Sequence, residues 1–194
     1  MLEAFLVSTA VVALGEIGDK TQLLALLLAA RFRQPRPIIL GILVATLANH
    51  AGASLLGAWL ARVVDPQWMR WVLGGSFLAV AAWMLVPDKA DGLDSGNTSR
   101  FGVFGVTTVA FFLAEMGDKT QIATVMLAAQ YPHFVMVVIG TTLGMLIANV
   151  PVVLAGNFAA DRLPLTLIRR LAALAFAVLA VYAACQALGL TGTL

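Results

Sequence analysis

Two copies of one charged heptapeptide contain the groups in this chain that could do chemistry. Residues 16–22 read Glu-Ile-Gly-Asp-Lys-Thr-Gln, and residues 115–121 repeat them 99 positions later (115 − 16 = 99), with methionine replacing isoleucine. Each copy places two carboxylates, an amine, a hydroxyl and an amide within an otherwise apolar run. Carboxylate and amide oxygens are ligands that hard divalent cations such as Mn²⁺, Ca²⁺ and Mg²⁺ accept. The repeated motif therefore predicts a cation site.

The four carboxylates of the two motifs are the primary candidate ligands: Glu16, Asp19, Glu115 and Asp118. In a helix, residues three apart lie on one face, so each motif is expected to present its Glu and Asp together. The two lysines leave a formal charge of −2 over both motifs, which would balance one divalent cation. Metal entry could displace protons from such carboxylates, a physical basis for metal/proton exchange. The supporting candidates are Lys20, Thr21, Gln22, Asn49, Lys119, Thr120, Gln121 and Asn149.

Each of these residues also has a purely structural interpretation. Glu16 could pair with Lys20 four residues on, as could Glu115 with Lys119, which would make each motif an internally neutralised element. The Thr, Gln and Asn side chains could be helix-packing hydrogen bonders that touch no metal. His50, which follows Asn49 and has only a valine at the matching place in the second half, could tune proton coupling or favour Mn²⁺, or could simply be a packed polar residue.

The composition predicts an all-α, polytopic membrane protein. Hydrophobic residues make up 61% of the 194 residues and mean hydropathy is +0.94, whereas soluble domains are about 45–50% apolar. A net charge of +2 without a basic, aromatic-rich run argues against a nucleic-acid partner. The single cysteine excludes an intrachain disulfide. Because no nucleophile–base constellation is evident, an enzyme is not expected, nor is any cofactor beyond a transported metal.

Six apolar segments can be read along the chain, near residues 2–30, 38–61, 68–86, 101–130, 134–159 and 165–188. The first would be about 43 Å long as one helix, against a hydrocarbon core of roughly 30 Å, so it must tilt, protrude or break. Gly18 is the expected place for a break. The polar stretch 88–100 is expected to be a cytoplasmic linker, which divides the chain into repeats at 1–87 and 101–194.

Three helices per repeat would insert the two halves in opposite orientations, an inverted repeat of the kind found in secondary transporters. The loops on one predicted side contain only Arg62 and Arg70. The positive-inside rule places the other side in the cytoplasm and both termini outside. The basic residues on that cytoplasmic side are Arg31, Arg33, Arg36, Lys89, Arg100, Arg162, Arg169 and Arg170.

The paired motifs on two three-helix repeats resemble a family of small cation transporters. It includes bacterial MneA-type manganese exporters and eukaryotic GDT-type Golgi calcium/manganese transporters. Both motifs match the E-x-G-D-[KR]-[ST] pattern at every fixed position. The resemblance covers essentially the whole chain and implies export of Mn²⁺, or Ca²⁺ in some members, in exchange for protons. It also implies that Glu16, Asp19, Glu115 and Asp118 bind the ion.

The short chain is similar to the bacterial form, which implies an inner-membrane location with lipid, a divalent cation and protons as partners. A passive channel that uses the same acidic site is the alternative within membrane transport, and oligomeric state is left open.

Overall fold

The computed structural model of the chain describes residues 1–85, 102–155 and 165–189. All regular secondary structure in these ranges is helical, as the composition predicts. The helices are α1 (Leu2–Glu16), α2 (Lys20–Phe32), α3 (Pro35–Val63), α4 (Pro66–Met84), α5 (Gly102–Glu115), α6 (Lys119–Gln130), α7 (Phe134–Ala155) and α8 (Leu165–Ala187). The predicted linker 88–100 and the polar turn at 161–164 lie outside the described residues.

The first and fourth apolar segments are each divided into two helices at the motif. The break predicted at Gly18 is confirmed, because α1 ends at Glu16 and α2 begins at Lys20. The fourth segment divides at the matching position, since α5 ends at Glu115 and α6 begins at Lys119. Six apolar segments therefore correspond to eight helices in the described ranges.

Local sequence signals explain where the long helices start. Pro35 and Pro66 occupy the first positions of α3 and α4, where a missing N–H costs no helical hydrogen bond. Asp65 caps α4, because its side chain accepts hydrogen bonds from the backbone N–H groups of Gln67 and Trp68 at 2.9 and 3.4 Å. The starts of α3 and α4 are therefore set by residues outside the motifs.

The helices pack in a reciprocal pattern across the two halves of the chain. Helix α1 packs on α7 while α3 packs on α5, α4 pairs with α8, and α3 also contacts α6 and α7. Small residues allow these crossings: a Cβ on Gly41 would lie 2.8 Å from the Cβ of Thr107 in α5. A Cβ on Gly140 would likewise lie 2.7 Å from the carbonyl oxygen of Phe5 in α1. The backbones at both crossings therefore approach closely, as small-residue helix contacts do in membranes.

The outer surface of the described helices is strongly apolar. Helices α3 and α7 are each long and apolar enough to cross a membrane. Large apolar side chains are exposed on many helices, which suits contact with lipid chains rather than water. Examples of these exposed side chains are Leu6, Leu27, Leu47, Leu55, Leu78, Leu113, Val135, Ile147 and Leu174.

Candidate metal centre

The site begins with two non-helical breaks of nearly identical geometry. Gly18 has φ +84° and Gly117 has φ +74°, a left-handed conformation that glycine adopts at little cost. Asp19 and Asp118 follow with extended backbone and are the N-cap residues of α2 and α6. The expectation that Glu and Asp share one helix face is therefore wrong. The Glu ends one helix and the Asp precedes the next, and the turn between them replaces the geometry that a continuous helix would impose.

Glutamine side chains hold both breaks in shape. The backbone N–H of Gly18 donates to Oε1 of Gln22 at 2.8 Å, and that of Gly117 donates to Oε1 of Gln121 at 2.7 Å. Gln22 also donates from Nε2 to the carbonyl oxygen of Ala148 in α7 at 2.8 Å. The side-chain oxygens of both glutamines, predicted as supporting ligands, are thus engaged with backbone amides.

A glycine substitution in the second break tests this account. A Cβ on Gly117 would meet no atom within 4 Å, so Gly117→Ala adds only the left-handed backbone penalty of about 1–2 kcal/mol. Thermal unfolding in detergent is expected to show a midpoint lowered by roughly 2–8 °C. Gly75→Ala is the matched control, because a Cβ there also meets nothing within 4 Å but the residue is helical. Equal midpoints for the two variants would contradict the strained-turn account.

Three of the four predicted carboxylates converge between the two breaks. Glu16, Asp19 and Asp118 each offer one oxygen, and these oxygens all lie within 4.8 Å of one another. All three side chains are almost completely buried. The hydroxyl of Thr21 donates to Oε2 of Glu16 at 2.5 Å, and Thr120 lies beside the same carboxylate. We refer to Glu16, Asp19 and Asp118 as the carboxylate triad.

The two lysines pair across the halves and not within their own motifs. Nζ of Lys20 lies 3.5 Å from Oδ1 of Asp118, and Lys119 forms an ion pair with Asp19. The alternative in which each glutamate pairs with the lysine four residues on is therefore wrong. The helix break removes the i,i+4 geometry, and the packing of the halves brings each lysine to the opposite aspartate. These crossed pairs join the two motifs directly.

The side chain of Glu115 is not one of the three in the carboxylate triad, and it faces helix α3. Its Oε1 accepts a hydrogen bond from the hydroxyl of Thr46 at 3.1 Å, and its Oε2 lies 3.9 Å from Nε2 of His50. Thr46 and His50 both belong to α3, so this carboxylate faces a helix of the other half. Thr46 is not among the predicted site residues, because a threonine in an apolar helix carries no signal that separates it from ordinary packing.

The two predicted asparagines make helix hydrogen bonds. Nδ2 of Asn49 donates to the carbonyl oxygen of Phe112 at 3.0 Å, which links α3 to α5. Nδ2 of Asn149 donates to the carbonyl oxygen of Met145 at 3.1 Å within α7. Both contacts fit the packing interpretation, although Oδ1 of Asn149 is buried and has no hydrogen-bond partner among the described residues.

The described residues line two cavities of about 360 Å³ each. One lies between α3 and α6 and is lined by Gly52, Ala53, Leu56, Gln121, Ile122 and Val125, so it borders the second motif. The other contains no motif residue and includes Glu3, Arg70, Tyr131, His133 and Tyr182. There Tyr131 donates to Glu3 at 3.2 Å, and burial, together with the nearby Glu3 charge, raises the pKa of Tyr131 to about 12. Its phenol therefore remains a hydrogen-bond donor at neutral pH.

Comparison with known proteins identifies the class of protein to which this chain belongs. The family model described as divalent cation/proton antiporter GDT1 matches residues 4–92 and 103–190. The chain belongs to the GDT1 family of divalent cation/proton antiporters. It is thus a membrane transporter and not an enzyme, and a divalent cation and protons are what the family transports.

Individual relatives agree with this assignment. The chain is 53% identical over 182 residues to a Vibrio cholerae protein named as a candidate manganese exporter, with 93% of this chain and 90% of that protein covered. It is 29% identical over 201 residues to a GDT1-like protein of Synechocystis, covering 93% and 96% of the two chains. A GDT1-like protein of Oryza sativa subsp. indica is 28% identical over 84% of this chain and 66% of its own length. No solved structure matches the chain significantly.

Proposed function

We propose that this chain exports Mn²⁺ from the cytoplasm in exchange for protons, with the carboxylate triad and Glu115 as the cation-binding groups. The observation that carries the proposal is the convergence of Glu16, Asp19 and Asp118 at the junction of two broken helices. Three carboxylates this close repel one another, and a divalent cation relieves that repulsion. The name of the Vibrio cholerae relative supports Mn²⁺ as the cargo. A Ca²⁺/H⁺ antiporter is the alternative for the same oxygen-rich site.

The charges around the site suit one divalent cation. Lys20 and Lys119 offset two of the four carboxylate charges through the crossed ion pairs, which leaves a formal −2. Protons that return to the carboxylates would restore neutrality after the cation leaves. Such an exchange keeps the buried charge nearly constant, which is the condition for crossing a low-dielectric core.

The fold proposed for transport is six spans arranged as two inverted three-helix repeats, residues 1–87 and 101–194, joined by the linker 88–100. Its support is the reciprocal packing in which α1 on α7 mirrors α5 on α3, while α4 pairs with its counterpart α8. The two separate stretches matched by the family model agree with a duplication. Broken helices that meet between repeats are the usual setting of a transporter's substrate site.

The proposed location is the bacterial inner membrane, with both termini on the outer side. The bias of arginine and lysine toward one set of loops supports this orientation. In that orientation the cavity between α3 and α6 lies on the outer side of the motifs and would serve as an exit route. Rocking of one repeat against the other would open the site alternately to each side.

Reconstituted transport tests the proposal directly. Purified protein in vesicles with an imposed pH gradient is expected to move Mn²⁺, and an internal pH dye is expected to report an opposite proton flux. Ca²⁺ in excess is expected to inhibit weakly. Protein-free vesicles and vesicles carrying an ionophore that abolishes the pH gradient are the controls.

Three other outcomes each point to a different conclusion. Metal flux that ignores the pH gradient would indicate a passive channel and overturn the exchange mechanism. Ca²⁺ movement that exceeds Mn²⁺ movement would select the Ca²⁺/H⁺ antiporter. No flux of either ion would refute both cargoes.

A further inference from the structure

The region around Glu115 contains a histidine that the paired motifs do not account for. His50 lies in the middle of α3 and is 1% exposed. Neither of its ring nitrogens has a hydrogen-bond partner among the described residues. Burying a polar group without a hydrogen-bond partner destabilises the fold, so native proteins rarely leave one without a function.

The imidazole of His50 faces a carboxylate that is itself incompletely satisfied. Nε2 of His50 lies 3.9 Å from Oε2 of Glu115, and that oxygen is buried without a hydrogen-bond partner among the described residues. The separation is too long for a hydrogen bond. Two metal–ligand bonds of about 2.0–2.2 Å span up to roughly 4.4 Å, so these two atoms are spaced as ligands of one cation.

His50 has no counterpart in the second half of the chain, so the two halves differ at this position. The position that matches His50 in the second half holds Val150, one residue after Asn149 just as His50 follows Asn49. A residue that served only to fill space between helices could be apolar in both halves. The imidazole therefore places ring nitrogens beside Glu115, and the matching position in the second half has none.

We propose that His50 is a nitrogen ligand for the transported cation, at a position shared with Glu115 and next to the carboxylate triad. The two parts adjoin, because the backbone N–H of Asp118 in the triad donates to the carbonyl oxygen of Glu115 at 3.1 Å. The imidazole selects divalent transition metals over Ca²⁺, which takes oxygen ligands almost exclusively. Glutamate and histidine together bind paired manganese ions in carboxylate helix bundles. This inference rests on the proposed function and adds the residue that determines its metal preference.

The decisive measurement is pulsed electron paramagnetic resonance of Mn²⁺ bound to the purified full chain. Nitrogen from a coordinated imidazole modulates the Mn²⁺ spin echo, whereas oxygen ligands do not. We expect the ¹⁴N modulation in the unmodified protein and its loss in His50→Gln, which keeps a polar side chain of similar size. His133→Gln is the matched control, because His133 lines the cavity that contains no motif residue, and it is expected to retain the signal.

Competition transport provides the second readout. His50→Val, which copies the residue at position 150, is expected to lower apparent Mn²⁺ affinity by about 10–100-fold, the range seen when groups that support a metal are removed. Apparent Ca²⁺ affinity is expected to change by less than about 2-fold, because Ca²⁺ uses the oxygen ligands that remain. The preference for Mn²⁺ thus falls while transport itself persists.

The possible failures separate the two proposals. Mn²⁺ transport by the unmodified protein without ¹⁴N modulation would overturn the His50 assignment and leave the proposed function standing. An equal loss of Mn²⁺ and Ca²⁺ affinity in His50→Val would show a merely structural role and also overturn it. Absence of Mn²⁺ binding by the unmodified protein would refute the proposed function, and the assignment of His50 with it.

Discussion

Asp118→Asn is expected to abolish metal transport while the protein remains folded. The substitution conserves shape but removes one of the three carboxylates that converge within 4.8 Å, and only a charged oxygen both attracts the cation and carries the returning proton. Transport is expected to fall by at least about 100-fold, the upper end of the effect of removing a group that only supports a ligand. The measurement is Mn²⁺ flux into vesicles at matched protein density, with thermal unfolding in detergent as the check on folding.

The variants Asp118→Asn and Asp19→Asn are expected to differ in stability, although both are expected to stop transport. The partner of Asp118 is Lys20, whose side chain is 27% exposed, so its ammonium group is not enclosed by the protein after the substitution. The partner of Asp19 is Lys119, whose side chain is only 3% exposed. Breaking a buried ion pair costs about 3–5 kcal/mol, so Asp19→Asn is expected to be the less stable variant.

A second substitution separates folding from transport at Asp19. Adding Lys119→Gln to Asp19→Asn removes the buried charge and is expected to recover stability without recovering flux. Asp65→Asn is the control for neutralising a carboxylate, because Asp65 caps α4 and asparagine caps equally well.

Normal transport by Asp118→Asn would refute the assignment of the carboxylate triad.

Gly57→Ala is expected to destabilise the protein more than Gly117→Ala does, although each adds a single methyl group. Gly57 faces α6, where a Cβ would overlap the carbonyl oxygen of Val125 and would lie 2.9 Å from the Cβ of Ala128. A backbone carbonyl cannot rotate away, so α3 and α6 must separate. Overpacking typically costs about 1–3 kcal/mol, and we expect the upper end or more, with a correspondingly lower unfolding midpoint in detergent.

The same substitution is expected to impair transport, because α6 begins at Lys119 within the second motif. Displacing α6 would move Asp118 and Lys119 away from their partners in the first motif. Gly75→Ala in α4 is the control, since a Cβ at Gly75 also meets nothing within 4 Å and Gly75 lines neither of the two cavities. Equal stability and equal flux in these two variants would show that the α3–α6 crossing tolerates more separation than its geometry indicates.

Much of this protein could be predicted from its sequence because the decisive signals are local. The all-helical class follows from composition. The helix break follows from a glycine inside an apolar run that, as one helix, would be longer than the hydrocarbon core of a membrane is thick. The repeated motif predicts that its four carboxylates act together, because ionisable residues are costly in such runs; these are Glu16, Asp19, Glu115 and Asp118. These inferences need only the chemistry of neighbouring residues.

The partners of the charged groups were decided by tertiary packing. Within one motif the spacing suggests that Lys20 pairs with Glu16, whereas in the fold Lys20 reaches Asp118 and Lys119 reaches Asp19. The helix break cancels the local geometry on which the sequence prediction relied. Contacts between residues about 100 positions apart depend on how the two halves pack, and no local pattern encodes that arrangement.

Tertiary packing also decided how the four carboxylates divide. The sequence treats Glu16 and Glu115 as equivalent, but Glu16 joins the two aspartates while Glu115 faces Thr46 and His50 of α3. The two motifs are nearly identical, and the helices packed around them are not. The sequence by itself therefore determined which groups are the candidate ligands, and the unequal packing around the two motifs decided which carboxylate lies beside a histidine.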